Sequence, residues 1–321
     1  MPLSRSHISI VAAFAALYVL WGSTYLAVAE AVRTMPPFLL MGTRSVAGGV
    51  VLLLCARLAG GSMGTLRSWG HAAIYGAFFF VGCHGVLAYA QQRAPSGLAA
   101  VLLATIPFWI AALQAMLPGD ERPTLGTLSL LLPGLAGVGL IAWRQIGAGA
   151  AGVSAGDILL LLGAAASWAV GTVLSERDAE PVSPAALSGM ELLTGGLMLL
   201  ALSAGLGETN RFDPVGVSLI SFGGWLYLTI AGTVVAFGTY IWLLRQVSPT
   251  LVATYTFVNP IIAVLLGWLV LGEQPTPWMI AGAALVVASV AGLLLARHRS
   301  GEGSAKPRTS PHAPDALAVQ R

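Results

Sequence analysis

Four charged residues lie in otherwise apolar sequence, as two pairs of opposite order. Glu30 precedes Arg44, whereas Arg177 precedes Glu191, and each pair flanks a turn that contains proline. A charged side chain inside a bilayer costs roughly 2.5–3.5 kcal/mol on insertion scales, and pairing with an opposite charge relieves that cost. We therefore predict an ion pair within each helical hairpin. Either the pairs are static and orient the hairpins, or Glu30 or Glu191 takes up a proton during a functional cycle.

A single histidine, His84, lies in the middle of an apolar run. An ionisable group at such a position is a candidate proton relay or solute contact. The alternative is a neutral ring that hydrogen-bonds a backbone carbonyl of a neighbouring helix. Tyr89 ends the same run just before Pro95, which places it at the mouth of a cavity or at the membrane interface.

Aromatic side chains at helical spacing are the second set of candidates. Trp21 and Tyr25 are four residues apart and share one helical face, as do Tyr255 and Asn259. These faces predict a cavity for apolar or aromatic solutes, and the alternative is ordinary helix packing or an interfacial aromatic belt. The full set of predicted cavity residues is Trp21, Tyr25, His84, Tyr89, Trp109, Trp168, Tyr240, Tyr255 and Asn259.

Two prolines lie inside apolar runs and predict helix breaks. Pro107 lies in one run and Pro260 in another, and proline removes a backbone hydrogen bond and frees a carbonyl. Broken helices at corresponding places in two halves of a chain point to a binding site. We therefore expect a site near these two breaks.

The composition predicts that the helices that position these residues are embedded in a lipid bilayer. Of 321 residues, 56% are hydrophobic and 9% are charged, and the mean hydropathy is +0.82. A soluble domain carries about 25% charged residues. A span needs about 20 apolar residues, which predicts about ten membrane helices: 8–31, 38–57, 70–91, 96–117, 124–143, 156–175, 185–206, 217–242, 250–271 and 277–296.

An internal repeat organises these helices. Trp21 and Pro37 recur as Trp168 and Pro184, 147 positions later, and several glycines recur with the same shift. The repeats are predicted to cover 8–143 and 144–296. Five spans per repeat is an odd number, so the second copy must enter the membrane from the opposite side, which makes the repeat inverted.

The positive residues of the loops predict the orientation. With a cytoplasmic N-terminus, four arginines lie outside (Arg33, Arg93, Arg144 and Arg211), against six in the inside loops and N-terminus and five tail cations. Both termini are therefore predicted to be cytoplasmic. Residues 297–321, rich in serine, proline, alanine and charge, predict a disordered cytoplasmic tail.

The ordered motifs resemble the EamA family of drug/metabolite transporters. They are Trp21-Gly22-Ser23-Thr24-Tyr25, Pro36-Pro37-Phe38, Arg44, Asn259-Pro260 and Leu271-Gly272-Glu273. The resemblance implies an all-α protein of the bacterial inner membrane with two five-helix repeats that exports small metabolites or amino acids. Uptake by the same fold is the alternative, and a membrane-embedded enzyme is a weaker one.

The expected partners are a small solute, the lipid bilayer and, as a coupling ion, the proton. No cofactor, metal or nucleic acid is expected, because ligand spacing, a nucleotide-binding loop and a folded basic face are missing from the sequence. The chain is expected to act as a monomer or a homodimer.

Overall fold

Long apolar segments between prolines and glycines form an all-helical protein in the computed structural model. The structure describes residues 5–117, 125–147, 153–177, 182–244, 246–247, 252 and 254–299. The helices are α1 (Arg5–Gly22), α2 (Thr24–Ala31), α3 (Pro37–Leu58), α4 (Leu66–Gly76), α5 (Val86–Ala90), α6 (Ser96–Leu103), α7 (Ile106–Met116), α8 (Leu125–Gly147), α9 (Ala155–Arg177), α10 (Pro184–Gly205), α11 (Glu208–Arg211), α12 (Leu219–Thr229), α13 (Ala236–Leu244), α14 (Tyr255–Leu271) and α15 (Pro277–Arg299).

Two π-helical segments interrupt otherwise continuous helices. Segment π1 (Ala77–Gly85) joins α4 to α5, and segment π2 (Ile230–Val235) joins α12 to α13. Each occurs in the third helix of its half of the chain. A π-helical turn leaves backbone carbonyls without their usual partners and is frequent at functional sites.

Seven helical stretches of the described chain are long and apolar enough to cross a membrane. They are Ile8–Ala31, Pro37–Leu58, Leu66–Ala90, Ser96–Met116, Ala155–Arg177, Pro184–Gly205 and Leu219–Tyr240. Shorter apolar helices cover Leu132–Ile141, Val258–Leu271 and Pro277–Gly292. The described chain is therefore a multi-helix membrane protein.

Glycines bring α3 and α10 into close, antiparallel contact. A Cβ on Gly49 would lie 2.7 Å from the backbone nitrogen of Leu193 and 2.9 Å from the carbonyl oxygen of Gly189. Near the other end of the crossing, a Cβ on Gly42 would lie 2.8 Å from the side chain of Leu200. Small residues allow membrane helices to approach this closely.

Helices α8 and α15 make the second close crossing, also antiparallel. A Cβ on Gly137 would lie 2.5 Å from the carbonyl oxygen of Gly282, and the reverse distance is 2.7 Å. One turn or more away, the Ser289 hydroxyl donates a hydrogen bond to the carbonyl of Leu130. Corresponding helices of the two halves thus pair with each other.

The last described helix extends into the first residues of the predicted tail. Helix α15 continues to Arg299, so residues 297–299 of the predicted 297–321 tail are helical. The helical hydrogen bonds continue past the apolar segment and include the charged residues Arg297 and Arg299. Residues 300–321 lie outside the described part of the chain.

Candidate functional site

Trp21 forms the centre of an aromatic cluster at the end of α1. Its Nε1 donates a 3.2 Å hydrogen bond to the carbonyl of Gly232 in π2. Its ring lies 4.6 Å from that of Tyr255 and 5.4 Å from that of Tyr240, measured between centroids. Three predicted cavity residues are therefore brought together, and the π-helical segment supplies the carbonyl that the indole binds.

Trp168 occupies the matching position against the other π-helical segment. Its ring centroid lies 4.7 Å from that of Phe79 and 5.3 Å from that of His84, both in π1. The hydroxyl of the adjacent Ser167 donates a 2.8 Å hydrogen bond to the carbonyl of Phe78. Each repeated tryptophan therefore packs on the third helix of the opposite half.

Several of the predicted cavity residues are half-buried in the described chain. Tyr25, His84 and Tyr255 each have intermediate exposure. That these side chains line a cavity for a solute stays a prediction from the sequence.

The face shared by Trp21 and Tyr25 is less regular than predicted. Ser23 interrupts the helix between α1 and α2, and its hydroxyl donates to the carbonyl of Val19 and lies 2.6 Å from the hydroxyl of Tyr227. Trp21 and Tyr25 consequently belong to different hydrophobic clusters. Of the two, only Trp21 makes a ring contact with Tyr255 among the described residues.

Arg44 is buried in α3 and binds the backbone of the opposite half. Its Nε donates to the carbonyl of Leu228 at 3.2 Å and to the hydroxyl of Thr233 at 3.1 Å. Its Nη1 lies 3.5 Å from the sulfur of Met41. Only 7% of Arg44 is accessible. The carbonyl of Leu228 is available because π2 follows it.

The predicted pair of Glu30 with Arg44 is not formed. Glu30 lies near the end of α2 and pairs with Arg33 instead, at 3.5 Å. The prediction was wrong because sequence spacing gives the depth of a residue in a hairpin, and not the side of the helix on which it lies.

The predicted pair of Arg177 with Glu191 is also absent from the described residues. Arg177 is exposed in the last turn of α9 and engages other groups. Glu191 is 8% accessible and lies in α10, beside the crossing with α4, where a Cβ on Gly76 would lie 2.5 Å from its backbone oxygen. Arg44 and Glu191 are therefore two separate buried ionisable groups.

The prolines mark helix breaks less precisely than predicted. Residues 104 and 105 interrupt the helix directly before Pro107, which lies in the first turn of α7. By contrast, α14 continues through Pro260. A proline removes one backbone donor, and the helical bonds on either side hold α14 together.

Asn259 is buried, and its side-chain oxygen has no hydrogen-bond partner among the described residues. Its backbone oxygen lies beside Gly22, next to Trp21. Tyr89 and Trp109 are both more than one third accessible. Tyr89 stacks on Phe38 and receives Arg93 over its ring at 5.1 Å, whereas Trp109 lies outside the aromatic clusters that the described residues form.

Sequence reasoning missed a set of polar contacts at one end of the bundle, defined here as the end contacts. Glu208 accepts a 2.9 Å hydrogen bond from the backbone nitrogen of Leu39, and Glu273 accepts one of 2.7 Å from that of Ser96. Arg93 pairs with Asp157 at 2.6 Å. Each contact joins the first half of the chain to the second. The sequence does show carboxylates near helix ends, but it does not indicate which residue each of them binds.

An apolar groove of about 550 Å³ opens between π1, α5 and α9. Its lining consists of Gly82, Val86, Gly156, Leu159, Leu160 and Gly163. The lining includes none of the predicted cavity residues. Its apolar, open character suits contact with lipid tails.

Comparison with known proteins gives a consistent result for both halves. The EamA-like transporter family matches residues 8–143 and 156–295. The "Uncharacterized inner membrane transporter YedA" of Escherichia coli (strain K12) is 33% identical over 97% of this chain and 98% of that protein. The "Uncharacterized transporter sll0355" of Synechocystis is 28% identical over 89% and 88%.

More distant similarities extend the same pattern. "Protein PecM" of Dickeya dadantii is 26% identical over 84% of this chain and 87% of that protein. A solved structure, named only "Crystal structure of protein", covers 91% of this chain and 99% of its own with a TM-score of 0.62, at 23% identity. The arrangement of helices is therefore one already seen in a crystal structure.

Proposed function

The chain belongs to the EamA-like transporter family, and from this premise we propose that it is a secondary transporter that exports a small metabolite by alternating access. Family and relatives point to a transporter rather than an enzyme. The proposed topology has ten membrane helices in two inverted repeats, with both termini cytoplasmic and the chain in the bacterial inner membrane.

The antiparallel pairing of equivalent helices is the observation that carries this proposal. Gly49 of α3 lies against Gly189 of α10, and Gly137 of α8 against Gly282 of α15. A two-fold axis in the membrane plane makes equivalent helices run in opposite directions. Transporters of this kind alternate by exchanging the conformations of their two halves around a site at mid-depth.

The end contacts fit the role of a gate. Arg93 with Asp157, and Glu273 with the first turn of α6, join the two halves at one membrane face. In the proposed orientation this face is periplasmic. Their formation closes the cavity toward that side, and their loss opens it.

Glu191 is the proposed proton-coupling residue. It is a buried carboxylate in α10 without an ion pair among the described residues. A carboxyl group in this position changes charge when it takes up a proton. A static ion pair with Arg177 does not account for Glu191, because the described residues do not form that pair. Glu30 is a weaker candidate, since it already pairs with Arg33 at the helix end.

Transport by purified protein in liposomes tests the proposal. We expect at least one solute of a panel of amino acids, organic acids and dyes to move, faster with a pH gradient than without it. Glu191→Gln should remove the acceleration by the gradient and keep solute exchange, whereas Glu30→Gln should behave as the wild type. Absence of movement for every solute under both conditions would contradict the transport function, and an unchanged gradient effect in Glu191→Gln would contradict its coupling role.

A further inference from the structure

Arg44 keeps hydrogen-bonding capacity that the protein does not use. We propose that the transported solute carries a single carboxylate, and that Arg44 binds this group beside π2. The inference rests on the proposed transport function and adds to it a substrate class and the residue that recognises it. The carboxylate is expected on a small apolar or aromatic body.

The geometry holds one edge of the guanidinium and leaves the other available. Nε is fixed by the carbonyl of Leu228 and the hydroxyl of Thr233. A guanidinium has five N–H donors, and Nη1 has only the weak contact with Met41 at 3.5 Å. In the described part of the chain, Nη2 has no hydrogen-bond partner. Two parallel N–H donors of this kind bind a carboxylate in bidentate fashion.

The space beside the guanidinium is kept open by a glycine. A Cβ on Gly232 would lie 3.8 Å from Nη2 and 3.0 Å from the side chain of Thr24. The Trp21 indole holds the carbonyl of the same glycine. The backbone of π2 is therefore fixed next to Arg44, with no side chain of its own between the guanidinium and the aromatic cluster.

The charge of Arg44 matches one negative group. Glu191 lies further along the antiparallel crossing, because Gly42 faces Leu200 while Gly49 faces Gly189. The two charges are thus separated by about two helical turns, or roughly 10 Å along the axis. His84 lies within electrostatic range of Arg44 but carries no negative charge. A monocarboxylate completes the site, whereas a cation is repelled.

Aromatic rings define the rest of the solute. Trp21 packs with Tyr255 and Tyr240 in one aromatic cluster, and Trp168 packs with His84 in another. Rings of this kind bind apolar or aromatic groups by stacked and edge contacts. An acid with a flat apolar body satisfies both parts of the site.

Binding of matched probes to the purified full-length chain tests this inference. The probes are benzoate, 3-phenylpropionate and indole-3-acetate, each compared with its neutral carboxamide, and calorimetry and thermal shift are the readouts. We expect at least one acid to bind, at least tenfold more tightly than its amide. Arg44→Gln should weaken acid binding roughly tenfold to a hundredfold, as loss of a charged hydrogen-bond donor does. Arg44→Lys should lie between, since it keeps the charge without the fork.

Two further variants separate recognition from folding. Thr233→Val removes a hydrogen bond to Nε and leaves the charge, so it should weaken acid binding several-fold in a folded protein. Arg57→Gln removes an exposed arginine from the other end of the same helix and should leave binding unchanged. Liposomes of phosphatidylcholine with and without phosphatidylglycerol distinguish a solute carboxylate from a headgroup phosphate.

The following results would overturn the inference. They are absence of binding by all three acids, equal binding of acids and amides, wild-type binding by both Arg44→Gln and Thr233→Val, and loss of acid binding when phosphatidylglycerol is present. Transport of neutral or cationic solutes alone would refute the carboxylate site and keep the transport function. Failure of every solute to move would refute the transport function itself.

Discussion

At the scale of single residues, Arg44 and Glu191 occupy equivalent positions of the two repeats, one a base and the other an acid. Arg44 is held by π2, whereas Glu191 lies beside the crossing of α10 with α4. Neither has an ion pair among the described residues. The repeat therefore places a cation in one half of the interior and an acid in the other, which makes the two halves chemically different despite their common fold.

Trp21 joins this charge to the aromatic cluster, and its removal should reduce transport. Trp21→Ala removes the hydrogen bond to Gly232 and the ring contacts with Tyr240 and Tyr255. A hydrogen bond contributes about 1 kcal/mol and an aromatic pair about 0.5–1.5 kcal/mol, so we expect a decrease of at least tenfold in the initial transport rate. The measurement is solute flux in liposomes with equal amounts of folded protein.

Two comparisons make the Trp21 result specific. Trp21→Phe keeps a ring and loses the N–H, so its rate should fall between those of Trp21→Ala and the wild type. Trp143→Ala changes a tryptophan that is 77% exposed and should have no effect. Wild-type rates for Trp21→Ala would assign the residue to ordinary packing.

At the scale of elements, the sequence predicts helices better than the contacts between them. The apolar length between Pro37 and Leu58 is enough to predict α3, because hydrophobicity and proline placement are local properties. The partner of Arg44 is not local, since it depends on π2, nearly 190 residues away. Neither π-helical segment has a signature in composition. The predicted break at Pro260 was wrong because a proline removes only one backbone donor, and α14 continues through it.

The glycine contact between α3 and α10 should be sensitive to one added methyl group. In Gly49→Ala the new Cβ would meet the backbone of α10 at 2.7–2.9 Å, so the two helices must separate. We expect a clear decrease in thermal stability in detergent, measured by size-exclusion after heating.

Gly163→Ala in α9 is the matched control. A Cβ there has no neighbour within 4 Å, and alanine is the better helix former by up to about 1 kcal/mol. This variant should have unchanged or slightly higher thermal stability. Equal stability of Gly49→Ala and Gly163→Ala would show that the close crossing does not hold the fold together.

At the scale of the whole molecule, the end contacts connect the two repeats at one face, and the residues that make them lie at or near helix ends. Glu208 and Glu273 each accept hydrogen bonds from the first turn of a helix in the other half. Such carboxylates are stabilised by the helix dipole and can separate from it without disturbing the helices.

Weakening the end contacts should open this face. Ala99 is fully buried in α6, just behind the site at which Glu273 binds. In a background of Cys55→Ser and Cys83→Ala, the thiol introduced by Ala99→Cys should react slowly with a membrane-impermeant maleimide. Adding Asp157→Asn and Glu273→Gln should accelerate this reaction several-fold, because both groups that join the halves there are lost, whereas Arg57→Gln should not. The same thiol should react from the periplasmic side in whole cells, and reaction only in inverted vesicles would reverse the proposed orientation. Unchanged reactivity from both sides would show that these contacts do not act as a gate.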